Sequence, residues 1–332
     1  MSGVTRRISV AFGGVLMSVA LLTLVGCESV PTAEQKTLTG DQDVVVQPGD
    51  VHDTYATPDE GVKALLDAVQ DKDHDGLKKI FGPAGRELVS GDPVEDENAY
   101  KLFAARTLEK AQIEERTPDM AILHIGQEDW PFPIPIVKNG EGRWYFDTKA
   151  GQQEIIARRV GANELNAISV CREYISAQQE YAALDRDQSG IHKYAQRLKS
   201  REGMKDGLYW DSKDGEGQSP FGPLADTAQG EGYAPISGAK NTSAPYHGYH
   251  FHILTAQGPD AAGGAYSYII NGNMIAGFAM ISWPDQYGNS GVMTFIVSHQ
   301  GKVYQKDLGP DTANIAKAMT AFNPDASWTE VK

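Results

Sequence analysis

Asp185, Asp187, Ser189 and Gly190 occupy positions one, three, five and six of a loop spaced like a calcium-binding hand, with the Ile191 carbonyl at position seven. Hard oxygens at that spacing suit Ca²⁺. Position nine is Lys193, however, and position twelve is Gln196, which cannot supply the bidentate carboxylate of a strong site. The pattern supports weak calcium binding at most, and otherwise reads as a polar helix end whose Asp side chains cap local N–H groups. Asp71, Asp73, Asp75 and Gly76 repeat the spacing, but there a turn between two helices is the better explanation. His247, His250 and His252 form a second cluster: on a strand, the last two share a face, and with the first from the preceding turn they could hold Zn²⁺. The sequence places no fourth ligand and no orienting carboxylate, so a solvated outer face competes with the zinc reading. Gly288-Asn289-Ser290-Gly291 lacks the second glycine of a nucleophile elbow, and Ser290 reads as a turn residue. There is no phosphate loop, dinucleotide fingerprint or H-E-x-x-H motif, so no cofactor is required by any motif.

The elements that must position these residues are legible from periodicity. Thr57-Pro58-Asp59-Glu60 places an N-cap, a proline at the first helical position and a capping glutamate, after which Val62, Leu65, Leu66 and Val69 recur at helical spacing. A short helix around residues 77–81 and another from Pro93 to about Leu108 follow. Strand-like runs start at Met120, Phe132 and Arg143, the last two joined by a hairpin at Asn139-Gly140-Glu141-Gly142. Residues 149–184 read as helix almost throughout, with an apolar arc about 180° wide that holds Ile168, Cys171, Tyr174 and Tyr181. An arc broader than the roughly 100° stripe of a surface helix predicts a helix wrapped by sheet. Cys171 lies in that arc, so it reads as a buried, inert thiol. Beyond it, apolar runs from Tyr249, Tyr266, Gly277, Gly291 and Lys302, separated by Asn- and Gly-rich turns, predict an antiparallel meander. A last helix after Pro310 offers Ile315, Ala318, Met319 and Phe322 to the core. The fold class is therefore α+β, with helices before antiparallel strands in the first half and a long helix on a meander in the second.

The N-terminus addresses location. Arg6 and Arg7 precede an apolar run, Ile8 to Val25, that stops at Leu24-Val25-Gly26-Cys27. This tetrapeptide resembles the lipobox of bacterial lipoproteins, which implies cleavage before Cys27 and lipidation of its thiol. The resemblance divides the chain into a signal peptide at 1–26, a Pro-, Gly- and Thr-containing tether at 27–55, an α+β domain at 56–150 and a second α+β domain at 151–332. Glu28 after the cysteine implies passage to the outer membrane, with the folded domains in the periplasm. Cys171 is then the only other cysteine, and no intramolecular disulfide can form.

Over nearly the whole mature chain the sequence resembles a family of bacterial secreted lipoproteins, domain of unknown function family 2950. The stretches DWPFPIPIVK, RWYFDTKAG, EIIARRVGANEL, DGLYW, PYHGYHFHILTAQGP, PDQYGNSGVMTFIV and KDLGPDT carry the likeness. The opening from Ala56 to Pro83 also resembles the first helices of the cone-shaped nuclear transport factor 2 superfamily, which implies a pocket in the first domain. The half from Asn163 is similar to type IV pilin-like and pseudopilin domains in its long helix and in its sheet, although a soluble domain stands where pilins carry a membrane-spanning segment.

With 30 basic and 44 acidic residues the formal charge is −14, which disfavours nucleic acid and anionic polymers as partners. Together these features predict a lipid-anchored, non-catalytic envelope protein that contacts the membrane through its anchor and meets an envelope protein or polymer through its second domain. The alternatives are a periplasmic module for a small ligand or a metal, and a hydrolase of envelope polymers acting through paired acids. Trp130, Trp210 and Trp283 test the first reading: they either line an exposed aromatic surface or pack under loops, the packed arrangement being expected.

Overall fold

The computed structural model describes residues 52–212, 217–233 and 244–332. The expected signal peptide, the tether up to residue 51 and the lipidation residue Cys27 lie outside the described residues.

The first core starts with α1 (Pro58–Gln70), α2 (His74–Phe81) and α3 (Pro93–Glu109). The Thr57 hydroxyl accepts the Glu60 N–H at 3.2 Å, and the Glu60 carboxylate accepts the Ala56 N–H at 2.9 Å, so this helix start closes as its sequence implies. Asp73 caps α2 by accepting the Gly76 N–H at 2.9 Å, which makes the first Asp-rich stretch a helix-to-helix turn. The strands β1 (Ala111–Thr117), β2 (Met120–Ile125), β3 (Trp130–Pro131), β4 (Ile136–Lys138) and β5 (Trp144–Phe146) follow. They form an antiparallel sheet in the order β1-β2-β4-β5, with β3 paired to β2. Strand β1 is absent from the sequence reading because Glu114, Glu115 and Arg116 obscure its alternation; such charges protect an exposed edge. The apolar run from Phe132 pairs only from Ile136, because Pro133 and Pro135 have no N–H to give a ladder. Leu65, Ala121, Leu123, Ile125, Ile134, Ile136 and Phe146 are fully buried in this core.

α4 (Thr148–Ala182) is a single helix of 35 residues, about 52 Å long. It begins against the first core, where a Cβ on Gly151 would stand 2.8 Å from the Pro133 carbonyl, so only glycine permits this approach. From Ala167 onward its apolar arc enters the second core, and Ala167, Val170, Cys171, Tyr174, Ala177 and Tyr181 are all buried there. Burial pushes the Cys171 thiol up to about 12, and Ser282 is its neighbour at 3.7 Å. The thiol is thus protonated and enclosed, as the apolar arc implies.

The second half adds α5 (Gly222–Gly230), β6 (Tyr249–Leu254), β7 (Ala256–Gln257), β8 (Tyr266–Ser267), β9 (Ile269–Ile270), β10 (Asn273–Met274), β11 (Ala279–Pro284), β12 (Met293–Ser298), β13 (Val303–Asp307), α6 (Thr312–Ala318), β14 (Ala321–Phe322) and β15 (Thr329–Glu330). Its main sheet is antiparallel in the order β15-β13-β12-β11-β6. α4 packs on one face, where the Tyr174 hydroxyl donates to the Ala279 carbonyl at 3.1 Å. The other face is covered as well, by α6 and β14, so every residue of β11 is buried. The expected pair of layers is therefore three layers around this sheet. The final helix also corrects its expected register: α6 stops at Ala318, Ala316 rather than Ile315 is buried, and Phe322 reaches the core from β14, which pairs in parallel with β7.

Candidate functional site

The loop that ends α4 is built from its own chemistry. Arg186 donates to the Tyr181 and Glu180 carbonyls, occupying acceptors that the helix end leaves open. Asp185 accepts the N–H groups of Ser189 at 3.1 Å and Gly190 at 2.7 Å, closing the loop on itself. Asp187 pairs with the Lys193 ammonium, and that hydrogen bond holds the Asp187 carboxyl down to about 2. Lys193 also reaches Ser189 Oγ at 3.5 Å and Asn273 at 3.2 Å. Asp185, Asp187 and Ser189 are thus engaged within the chain, and the cation nearest to them is Lys193. Ile191 is exposed.

The three histidines are not brought together. His247 sits at a left-handed turn, φ +45°, and its Nε2 lies 3.0 Å from Glu231. His250 Nε2 lies 2.7 Å from Asp285, and its ring stacks on Trp283 with centroids 5.5 Å apart. His252 stands on β6 opposite Ile281 and is exposed. Among the described residues no group of three or more His, Cys, Asp or Glu is placed to hold a metal ion. The orienting carboxylates that the sequence did not show, Glu231 and Asp285, come from distant segments, and each serves a different ring.

Ser290 is buried in a turn, where its hydroxyl accepts the Gln286 N–H at 3.0 Å and donates to the Gln286 carbonyl at 3.3 Å. Trp210 and Trp283 are buried, while Trp130 is half-buried with the Arg158 guanidinium 4.9 Å from its ring centre. The first core carries a shallow groove of about 330 Å³ between Arg116 and Arg158. Each of those arginines is already paired, with Glu114 at 2.9 Å and Glu154 at 2.7 Å.

A larger open cleft, about 450 Å³, runs along the side of α4 that faces away from the sheet. The sequence places Asn166, Ser169, Arg172, Glu173, Ser176 and Glu180 on the polar side of this helix, and the structure turns that side, apart from Arg172, into one wall of the cleft. α5 supplies Pro223, Leu224 and Thr227 to the opposite wall, and Glu231, Tyr246 and His247 close one end. Phe221, Leu224, Val170 and Ala177 give the cleft an apolar part. Among the described residues the lining holds three carboxylates and no lysine or arginine. Burial raises the pKa of the Glu173 carboxyl, opposed by the Ser169 hydroxyl donating to it at 3.4 Å. The Tyr246 hydroxyl donates to Glu231 at 3.3 Å, and burial together with that carboxylate raises the phenol pKa. Glu231 is the acceptor shared by Tyr246 and His247, whereas Glu173 has only Ser169. Such a surface suits a ligand that carries positive charge or hydroxyl donors beside an apolar body. α5 and Glu231 were missed from sequence because a nine-residue helix with glycine at both ends shows little period.

Fold and cleft together define an α+β protein with two cores on one shared helix and an acidic cleft beside that helix. The chain belongs to the family described as "Protein of unknown function (DUF2950)", whose model matches residues 52–331. No curated protein and no solved structure matches the chain. The fainter likeness of the second half to pilin-like domains gains no support. Among the described residues no helix is long and apolar enough to cross a membrane.

Proposed function

We propose that the protein is a lipid-anchored component of the bacterial cell envelope that binds rather than converts its partner, through the acidic cleft on α4. The lipobox-like end at Cys27 supports the anchor: acyl chains on that sulfur would contribute roughly 0.8 kcal/mol per buried CH₂. The anchored protein would sit at the outer membrane with both cores in the periplasm, and it needs no cofactor for this role. The partner is an amine-bearing segment of an envelope protein or polymer. One observation carries this reading: Glu173, Glu180 and Glu231 converge on one open cleft whose lining, among the described residues, holds no lysine or arginine and has an apolar part at Val170, Ala177, Phe221 and Leu224. An ammonium entering a partly dehydrated acidic cleft meets attraction less screened than on the open surface. Binding rather than turnover is favoured because the one serine with an elbow-like sequence, Ser290, has its hydroxyl tied into a turn.

The test is a titration of the full chain with a short peptide of alternating lysine and leucine and with its lysine-acetylated twin. The amine form binds, the acetylated form does not, and Glu173→Gln or Glu231→Gln weakens binding about tenfold, a difference of about 1.4 kcal/mol. Equal affinity for both peptides, or no effect of either substitution, removes the cleft from the proposal.

A further inference from the structure

The two cores meet along a second polar region, which touches the cleft only through the backbone of Glu231 and His247. The first turn of α3 leans on α4 and on the turn at residues 286–290. Asp92 is buried and caps α3, accepting the Val94 and Glu95 N–H groups at 3.0 and 3.2 Å. Its other oxygen accepts from the Tyr233 hydroxyl at 2.9 Å, and that hydroxyl in turn accepts the His247 N–H at 3.2 Å. Asn98 donates to the Glu231 carbonyl at 2.7 Å. From α4, Arg159 donates to the Leu88 and Val89 carbonyls and, at 2.7 Å, to Asn289. Asn163, also buried, donates to the Ser290 carbonyl at 3.1 Å and points the same amide at Glu95, 3.4 Å away. Asn289 donates back to the Ser90 carbonyl at 3.1 Å.

Glu95 stands in the middle of this seam. Asp92 and Asp96 flank it on its own helix, Arg159 and Asn163 face it from α4, Tyr233 faces it from the segment after α5, and the 286–290 turn offers only neutral groups. With all three acids ionised, three carboxylates share one guanidinium in a partly dehydrated seam. Removing the charge of Glu95 relieves that imbalance.

We propose that the seam is a proton-sensitive latch: it stays closed while the Glu95 carboxyl is neutral and loosens once that carboxyl ionises in the partly dehydrated contact between the two cores, where the only facing cation among the described residues, Arg159, spends its hydrogen bonds on Leu88, Val89 and Asn289. This goes beyond the cleft reading and does not depend on it. Burial and the Asp92 charge push the Glu95 carboxyl up to about 7 from an ordinary 4.5, while Arg159 and Asn163 pull it the other way. The sign follows from linkage. Between 4.5 and about 7 the unfolded chain has released this proton and the folded chain still holds it, so this group's contribution to stability falls as pH rises through that window. Below the window both states are protonated, and above it the loss is complete.

The test uses the full chain from about pH 5 to about pH 8, with unfolding midpoints and amide hydrogen exchange at residues 90–98 and 244–250 compared with residues 62–69. Wild type loses stability as pH rises, relative to Glu95→Gln, and exchange corrected for the intrinsic rate rises several-fold at the seam but not in the first core. Parallel pH profiles for wild type and Glu95→Gln, or seam exchange that does not respond to pH, would overturn the latch. Should Glu95→Gln fail to fold, Asp96→Asn decides: with one flanking charge gone, Glu95 ionises at lower pH, so the loss of stability is smaller and is complete at lower pH, and an unmoved profile contradicts the proposal.

Discussion

The end of α4 and the middle of α4 are both rich in acids, yet they differ in where those acids spend their hydrogen bonds. At the end, Asp185 is occupied by two backbone N–H groups and Asp187 by Lys193, so the loop is neutralised from within. Along the middle, Glu173 has one hydroxyl partner and faces a cleft whose lining, among the described residues, holds no lysine or arginine. Composition alone makes these stretches look alike, and the order of likelihood for binding that a loop motif suggests is the reverse of the one the partners give. Accounting for each carboxylate's partners separates a structural acid from an available one.

That contrast has a buried counterpart, and breaking it produces the largest effect. Gln178 is fully enclosed and joins α4 to the chain beyond the loop: its amide donates to Ala195 at 2.8 Å and to Tyr174 at 3.0 Å, and its oxygen accepts the Ala195 N–H at 2.8 Å. Gln178→Leu strands two buried groups, the Ala195 N–H and carbonyl, while the Tyr174 hydroxyl keeps its bond to Ala279, and lowers unfolding stability by on the order of 3 kcal/mol, measured by urea denaturation. The cleft substitutions Glu173→Gln and Glu231→Gln come next in size, but on peptide affinity; Glu173→Gln leaves the denaturation midpoint close to wild type because that residue is exposed. Asp185→Ala should cost about 1 kcal/mol through the two freed N–H groups and leave peptide affinity unchanged. Millimolar calcium should not raise the wild-type melting temperature, because Lys193 already supplies the loop's positive charge. A clear calcium-dependent rise would show that the ammonium can be displaced and that the loop is a site after all.

The parts legible in the sequence are those governed by neighbours in the chain. The Thr57–Glu60 cap, strand β2, the length of α4 and the succession of strands β11 to β13 all follow from local period, turn residues and capping chemistry. Charged β1 and short α5 escaped because each is stabilised by what it packs against rather than by its own pattern. Both faces of the second sheet are covered because the C-terminal segment folds back over it, a contact between distant residues that no window of sequence displays. The cleft is hidden for the same reason: Glu173 and Glu231 lie on different elements, and only the fold sets them on one surface. His250 shows the limit most clearly, since its carboxylate partner Asp285 belongs to the segment just past the neighbouring strand.

The central claim is that the middle of α4, and not its end, is the contact surface. Amide hydrogen exchange of the full chain, with and without the lysine–leucine peptide, reads both regions in one experiment. The cleft reading predicts slower exchange in the α5 segment at residues 221–231 and around residues 246–247, with residues 185–193 unchanged. Protection confined to residues 185–193, or none along the cleft while the peptide is bound, would contradict it.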